Sequence, residues 1–546
     1  MFFLSTRNSK VVGDFKKVVL NPIAEDNGGI FVPSFISQFD YKEIYKFGEM
    51  TYPQILADIL ERFCDKGIDK DILHELTERA FSGFGDFGVP IDEHTRTMGD
   101  KYFSLTRLDE NIDMASLTYG PSGCVKDYGF CLAAEFINYF AEKEGKVRSI
   151  IDISDGNSAL STALATRNKK WIRAFTVFNT TNNVSTRSLM HKAETLTQDE
   201  ADRYGIDIAQ LEIEWREAEK KAAEQRKAER EANRLKGIYD DDDEEEKVKI
   251  FEPKVLNFGY ATADMDIATI NKSRYDIYNN TSLREMINLT FINELNVLNI
   301  LAYIPAFFKM ALRLDFQPFC VAVPTSNMSL GMAAYFAKKM GLPIAKIILG
   351  VEKNNFFFDF QNNGAANTKK EVEDGNSSLY SNYPTNFERL LFYMYGANQA
   401  SVKRAIQELE TNGIYKLNDT TMRKFRDDFF VTICDNQMSQ RNGIFSMVRE
   451  KKIPVDVHLA ISRIAANNAL SEIGSQVSML PIVIFNTLDY RRNLEFVNAS
   501  LGYEIDVDKT PWTELDTERF DDKEIANDEH NILSYAVSQI EKMKWS

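Results

Sequence analysis

The stretch Leu117-Thr118-Tyr119-Gly120-Pro121-Ser122-Gly123-Cys124-Val125-Lys126-Asp127-Tyr128-Gly129-Phe130 puts a lysine in a glycine-rich turn just before a helix. Phe130, Ala134, Ile137 and Ala141 recur at helical spacing, and Gly145 stops the run. This spacing predicts an amphipathic helix with one apolar stripe against a core. A lysine held between glycines can be partly desolvated. Desolvation disfavours the ammonium, so Lys126 is a candidate neutral amine able to form a Schiff base with an aldehyde. A solvated lysine at a helix start is the alternative reading of this stretch alone.

Outward from the lysine helix, residues 149–153 read as a strand, followed by the polar loop Ser154-Asp155-Gly156-Asn157-Ser158, a helix over 159–166 and a strand over 172–178. The pattern recurs as a strand at 319–323, a helix at 330–340 closed by Gly341 and a strand at 344–349. A third copy starts at 482–485, passes Asn486-Thr487 and continues as helix to 501. Strand, polar loop, helix, strand is the grammar of a parallel sheet with ligands at the carboxyl ends of its strands, so the expected fold class is open α/β. Upstream, 52–63 and 68–81 read as helices separated by Gly67, and short strands are expected at 102–105 and 114–119.

A charged segment interrupts the pattern. Residues 197–236 are dense in Glu, Lys, Arg and Ala, with Thr197 and Glu200 as a capping box and Gly237 as a stop, which predicts one long solvated helix. Its apolar residues Ile206, Ile208, Leu211, Ile213 and Trp215 lie in the first part, so only that part is expected to pack. The acidic run 240–246 after it is expected to be disordered. The resulting division is an N-terminal domain at 1–96, the first part of the sheet fold at 97–190, the insertion at 191–252 and the remainder of the fold with a helical C-terminal region at 253–546.

At 546 residues, 44% of them hydrophobic, the chain can bury a large core. A formal charge of −16 argues against nucleic acid as a general partner. The five cysteines, Cys64, Cys124, Cys131, Cys320 and Cys434, show no metal-ligand spacing, and no metal is expected. Cys124 reads as small buried filler. Neither a signal-peptide pattern nor an apolar run of membrane-spanning length is present, and a cytoplasmic location without membrane association is expected.

Gly120-Pro121-Ser122 with Lys126-Asp127-Tyr128-Gly129 resembles the H-G-P-T-x-x-F-K-D-x-G segment of threonine synthases, which use pyridoxal phosphate (PLP). Ser5-Thr6-Arg7-Asn8, Leu20-Asn21-Pro22 and Gly28-Gly29-Ile30-Phe31-Val32-Pro33 resemble that family's opening. Val323-Pro324-Thr325-Ser326-Asn327 and Ala337-Lys338-Lys339-Met340-Gly341-Leu342-Pro343 resemble its V-P-S-G-N and A-K-K-M-G-L-P segments. The match covers most of the chain outside the insertion. It implies the fold type II of PLP enzymes, the architecture of the tryptophan synthase beta subunit.

The resemblance also implies a site. Lys126 is the Schiff-base and proton-carrying residue, with Ser122 and Asp127 positioning its turn. Ser154, Gly156, Asn157 and Ser158 correspond to the substrate-carboxylate loop, with Asn157 facing the cofactor ring hydroxyl; Asp155 replaces a serine and Ala159 a glycine. Thr325-Ser326-Asn327-Met328-Ser329 corresponds to the phosphate cup S-G-N-F-G, with both glycines replaced by serine, so any cup position needing a positive φ is expected to be strained. Thr487 matches the hydroxyl that meets the ring nitrogen. Arg492 is a candidate substrate-phosphate contact, or else a solvated helix charge. Asp456-Val457-His458-Leu459 resembles the family's D-P-H-T, and His458 has a structural role as its alternative. The N-S-x-N-x-x-R segment that helps hold the substrate is not matched by residues 288–294.

The expected activity is a threonine synthase-like lyase that converts O-phospho-L-homoserine and water to L-threonine and phosphate. Its partner is a small amino-acid substrate, and a monomer is favoured. A PLP lyase with another amino-acid substrate, and a non-catalytic binding paralogue acting through the insertion, are the alternatives.

Overall fold

The lysine helix spans Lys126–Glu144 and ends at Gly145, whose φ of 63° is the left-handed cap that glycine takes without steric cost. In the computed structural model, which describes residues 1–26, 28–64, 67–85, 97–154, 156–180, 184–235, 251–352, 356–369, 384–434, 437–508, 510, 524–525 and 529–543, this helix is the central element. It is not amphipathic. Every residue from Asp127 to Ile137 is buried, because helices Lys70–Ala80, Asn157–Thr166 and Leu298–Leu301 pack around it. Apolar spacing showed one contacting face and missed the others, where small, aromatic and paired polar residues do the packing. Glu135 illustrates the point: it is 8% exposed and holds Arg79 at 3.1 Å and the Lys169 ammonium.

The three strand–loop–helix units fall into two sheets. The first lies in a four-stranded parallel sheet ordered Glu524–Ile525, Phe258–Ala263, Ile172–Asn179, Arg148–Ser154. The second and third lie in a seven-stranded sheet ordered Phe429–Ile433, Ile344–Val351, Phe319–Pro324, Ile482–Asn486, Ile112–Ser116, Phe103–Arg107, Thr97–Asp100. Its first five strands are parallel, and the last two turn antiparallel. Such strands, buried on both faces, read as unbroken apolar runs: Phe319–Pro324 has no exposed residue. The lysine helix leaves Ile112–Ser116 in the large sheet and delivers the chain to Arg148–Ser154 in the small one, so its start lies where both sheets present carboxyl ends.

The expected single helix over 197–236 is two. Thr197 and Glu200 form the capping box of Gln198–Tyr204, which Gly205 ends with φ 66°, and a 28-residue helix, Ile208–Leu235, follows. The break arises because Gly205 caps the first helix after two turns, whereas charge composition alone runs through it. Ile206 and Ile208 pack on the core and Trp215 meets Phe251 with ring centroids 5.6 Å apart, but Ile213 is 53% exposed and does not pack. Gly237 and the acidic run 240–246 lie outside the described residues. Among the described residues no helix is long and apolar enough to cross a membrane.

Candidate active site

The turn before Lys126 is built around Asp127. Its carboxylate accepts the Ser122 N–H at 2.8 Å and the Ser122 hydroxyl at 2.7 Å, closing a loop of six residues. Burial pushes the Asp127 carboxyl above its ordinary range, and these hydrogen bonds pull it back. A Cβ on Gly120 would collide with the Asp127 side chain, so glycine is required there. Two backbone bonds tie the turn to the segment after Ile482–Asn486: Val125 N–H to Thr487 C=O and Asp489 N–H to Gly123 C=O, both 2.8 Å. Lys126 is thereby fixed at the helix start, half-buried, and its amine makes no hydrogen bond or ion pair among the described residues.

Lys126 borders a cavity of about 70 Å³. Asn157, Thr325, Ser326, Asn327, Met328, Ser329 and Thr487 border the same cavity, although they come from three separate segments. The 325–329 loop leaves Phe319–Pro324 and opens the helix Ser329–Lys339. Its one left-handed residue is Met328, with φ 67°, and not either serine. The expected serine strain is therefore absent. The cost of roughly 1 kcal/mol for a non-glycine in that region falls on Met328, which is buried. Just before the helix, Asn327 Oδ1 accepts the Ser329 N–H at 3.0 Å.

Across the cavity, His458 Nδ1 lies 3.0 Å from Thr487 Oγ1. His458 also borders the cavity. It sits in the first turn of Val457–Glu472, where Asp456 Oδ1 accepts its N–H at 2.8 Å. Burial, helped by the nearby Lys126 charge, pulls the imidazole down to about 3, so it is neutral. Burial pushes Asp456 up to about 7 against three backbone hydrogen bonds.

Arg492 is 1% exposed, which rules out the solvated helix charge. It lies on the short turn Tyr490–Asn493 and donates to Ser122 C=O, to Asn157 Oδ1 at 3.3 Å and to Thr186 Oγ1 at 3.0 Å. The guanidinium thus joins the lysine turn, the Asn157 helix and the helix Val184–Glu194. Ser154, Gly156 and Ser158 stand behind Asn157 and do not border the cavity among the described residues. Ser154 Oγ accepts the Ala159 N–H at 3.0 Å, and Gly156 has φ 132°. The Ser158 hydroxyl is buried with no hydrogen-bond partner among the described residues. Asp155 lies outside the described residues.

Sequence reasoning missed Asn299 and Tyr303, which border the cavity; Cys124, expected as buried filler, is buried and borders it too. Burial pushes the Cys124 thiol up to about 11, so it is a neutral thiol there. The signal for Asn299 was present in a different register: N-x-x-N-x-x starts at Asn293 and continues through Asn296, with Glu294 in place of the serine and Asn299 in place of the arginine. Asn299 Nδ2 donates to Ile292 C=O and, at 2.7 Å, to Asn293 C=O, so the segment is held by its own amides.

Residues 2–81 match the family described as threonine synthase N terminus. Threonine synthase from Methylobacillus glycogenes is 21% identical over 474 residues, 84% of this chain and 85% of that protein. Threonine synthase from Saccharomyces cerevisiae is 23% identical over 500 residues, 86% of this chain and 84% of that one. The chain is similar to threonine synthases over most of its length. Among solved structures, PLP-bound threonine synthase from Brucella melitensis superposes with a TM-score of 0.77 at 19% identity, covering 98% of this chain and 99% of that one. This likeness shows a common fold, type II of the PLP enzymes.

Proposed function

We propose that the chain is a threonine synthase-like PLP-dependent lyase acting on O-phospho-L-homoserine and water to give L-threonine and phosphate. The observation that carries this reading is that Lys126, Asn157, the 325–329 loop and Thr487 border one cavity. The donor set fits the cofactor. Lys126 offers an amine without a partner among the described residues, and the first-turn amides of Leu330 and Gly331 have no intrahelical acceptor. Thr487 and Asn157 offer neutral groups for the ring nitrogen and ring hydroxyl. When bound, PLP supplies an electron sink for carbanions next to the amino group.

The chain's own residues supply the rest. Lys126 Nζ takes and returns the substrate protons, a role that needs its neutral form during turnover. Arg492 orients Asn157 by donating to its Oδ1, which turns the amide N–H₂ away from the guanidinium. His458 holds the Thr487 hydroxyl in place. Tyr303, Phe130 and Leu330 give the cavity apolar walls that limit water around the reacting amine. With Asn299 in place of an arginine, Lys126 is the one cationic side chain bordering the cavity among the described residues.

The test is reduction of the protein with borohydride in the presence of PLP, followed by peptide mass mapping, together with phosphate release from O-phospho-L-homoserine. A pyridoxyl mass on the peptide containing Lys126 and release of phosphate are expected. Absence of the mass at saturating PLP contradicts the proposal. The mass without phosphate release points to a different amino-acid substrate.

A further inference from the structure

The side chain of Ser329 is 6% exposed and borders the cavity at the first residue of an 11-residue helix. Its oxygen accepts a hydrogen bond from Asn386 Nδ2 at 2.9 Å. The direction of that bond is fixed by what lies on either side of Asn386. Arg389 Nη1 donates to Asn386 Oδ1 at 2.6 Å, and a guanidinium has no acceptor, so the amide oxygen must face it. Asn386 Nδ2 also lies 3.1 Å from Asn327 C=O, which has no donor, so the amide nitrogen must face the loop. The two constraints agree, and the ambiguity that usually attends an amide orientation is removed.

Arg389 is itself held rigidly. It is fully buried and donates to Phe31 C=O at 3.2 Å, Glu294 C=O at 2.6 Å and Leu295 C=O. A guanidinium so enclosed cannot turn to release Asn386. Ser329 has one hydroxyl proton, and with Asn386 donating to its oxygen that proton has no acceptor among the described residues. Next to it are the first-turn amides of the helix, whose partial positive charge favours an anion.

We propose that Arg389 and Asn386 are positioning residues that commit the Ser329 hydroxyl to donate to the phosphate end of the cofactor. The inference rests on the PLP reading above. A guanidinium, an amide and a hydroxyl thus form a one-way relay that ends in a side-chain donor at a position where the family's cup has glycine and only backbone. Neither Arg389 nor Asn386 touches the phosphate. Both lie behind the loop, on the helix Asn386–Met394.

The experiment compares binding of PLP with binding of pyridoxal, which lacks the phosphate, by absorbance titration of the wild type, Ser329→Ala, Ser329→Gly and Asn386→Asp. Loss of one hydrogen bond to a charged group corresponds to about tenfold in affinity. Ser329→Ala and Ser329→Gly are expected to cut the preference for PLP over pyridoxal by about tenfold, with pyridoxal affinity unchanged. Asn386→Asp cannot donate, turns the hydroxyl back toward its own carboxylate, and is expected to cut the preference further. An unchanged preference in both Ser329 variants overturns the relay and leaves the PLP reading intact, and those variants decide the matter if Asn386→Asp does not fold. A wild type that binds neither aldehyde overturns the PLP reading. The relay is then decided by ³¹P line broadening of inorganic phosphate: broadening lost in Ser329→Ala supports it, and none in the wild type overturns it.

Discussion

His458 and Thr487, 29 residues apart in sequence, are joined by a 3.0 Å hydrogen bond inside the candidate active site, and the buried Asp456 caps the helix that carries the histidine. Both titratable groups pay for burial, in opposite directions. The folded pKa of His458 lies at about 3, below its ordinary value, so its contribution to stability is present above about pH 6.5 and is lost as pH falls through 3. The folded pKa of Asp456 lies at about 7, above its ordinary value. Its contribution is therefore present below about pH 4 and is lost as pH rises through 7. The two slopes oppose each other in the wild type. Urea unfolding from pH 4 to 8 is expected to show stability falling with pH in His458→Gln and rising with pH in Asp456→Asn. Parallel slopes in the two variants contradict the burial of these groups.

The Lys126 side chain makes no hydrogen bond or ion pair among the described residues, so its removal is expected to separate chemistry from stability. Lys126→Ala should abolish the borohydride-trapped pyridoxyl mass while changing unfolding free energy by no more than about 0.5 kcal/mol, the usual range for a site without packing or bonding partners. A variant that unfolds several kcal/mol earlier shows instead that the lysine stem packs.

Arg492 is the reverse case. Its three acceptors, Ser122 C=O, Asn157 Oδ1 and Thr186 Oγ1, belong to three separate segments, and the bonds to Ser122 and Thr186 are buried. Arg492→Met removes the donors and leaves those groups to be satisfied otherwise, which is expected to cost about 3 kcal/mol in urea unfolding. Arg492→Lys should recover little, because one ammonium cannot reach acceptors spread along a planar fork. Recovery of wild-type stability by lysine would show that charge matters more than geometry.

Local pattern made the elements legible and hid how they are arranged. Apolar runs such as 319–323 and 344–349 are strands because both faces are buried, and they were visible as runs. That the unit beginning at residue 149 belongs to a different sheet from the one beginning at residue 319 depends on contacts between segments more than 150 residues apart, and no spacing rule carries that. Lys126, the 325–329 loop and Thr487 were found through resemblance to a family pattern, and the structure places them around one cavity. Arg492 was legible as a position but not as a buried side chain, since three of its contacts lie far away in sequence. Asn299 was hidden by register: the pattern was sought from residue 288, and its asparagines start at 293. Asn386 and Arg389 left no signal at all, because a residue that acts by orienting another carries no motif of its own.

Gly156 precedes the Asn157 helix with φ 132° and ψ −48°, a backbone region that side chains avoid. Gly145 ends the lysine helix at φ 63° with open space around its missing Cβ. The two glycines separate a strain that bears on the cavity from one that does not. Gly145→Ala should cost about 1 kcal/mol of stability and leave cofactor binding alone, since an αL residue at a free helix end pays only its own backbone penalty. Gly156→Ala is expected to cost about 1–3 kcal/mol. Relief of that strain rotates the start of the helix Asn157–Thr166, and Asn157 moves relative to Arg492 Nη2, its present partner at 3.3 Å. The Gly156 variant should therefore lose PLP affinity beyond its loss of stability, measured by absorbance titration at a temperature where both variants are fully folded. Equal PLP affinity in the two variants would mean that the conformation at Gly156 serves the fold alone, and that Asn157 has no part in holding the ring.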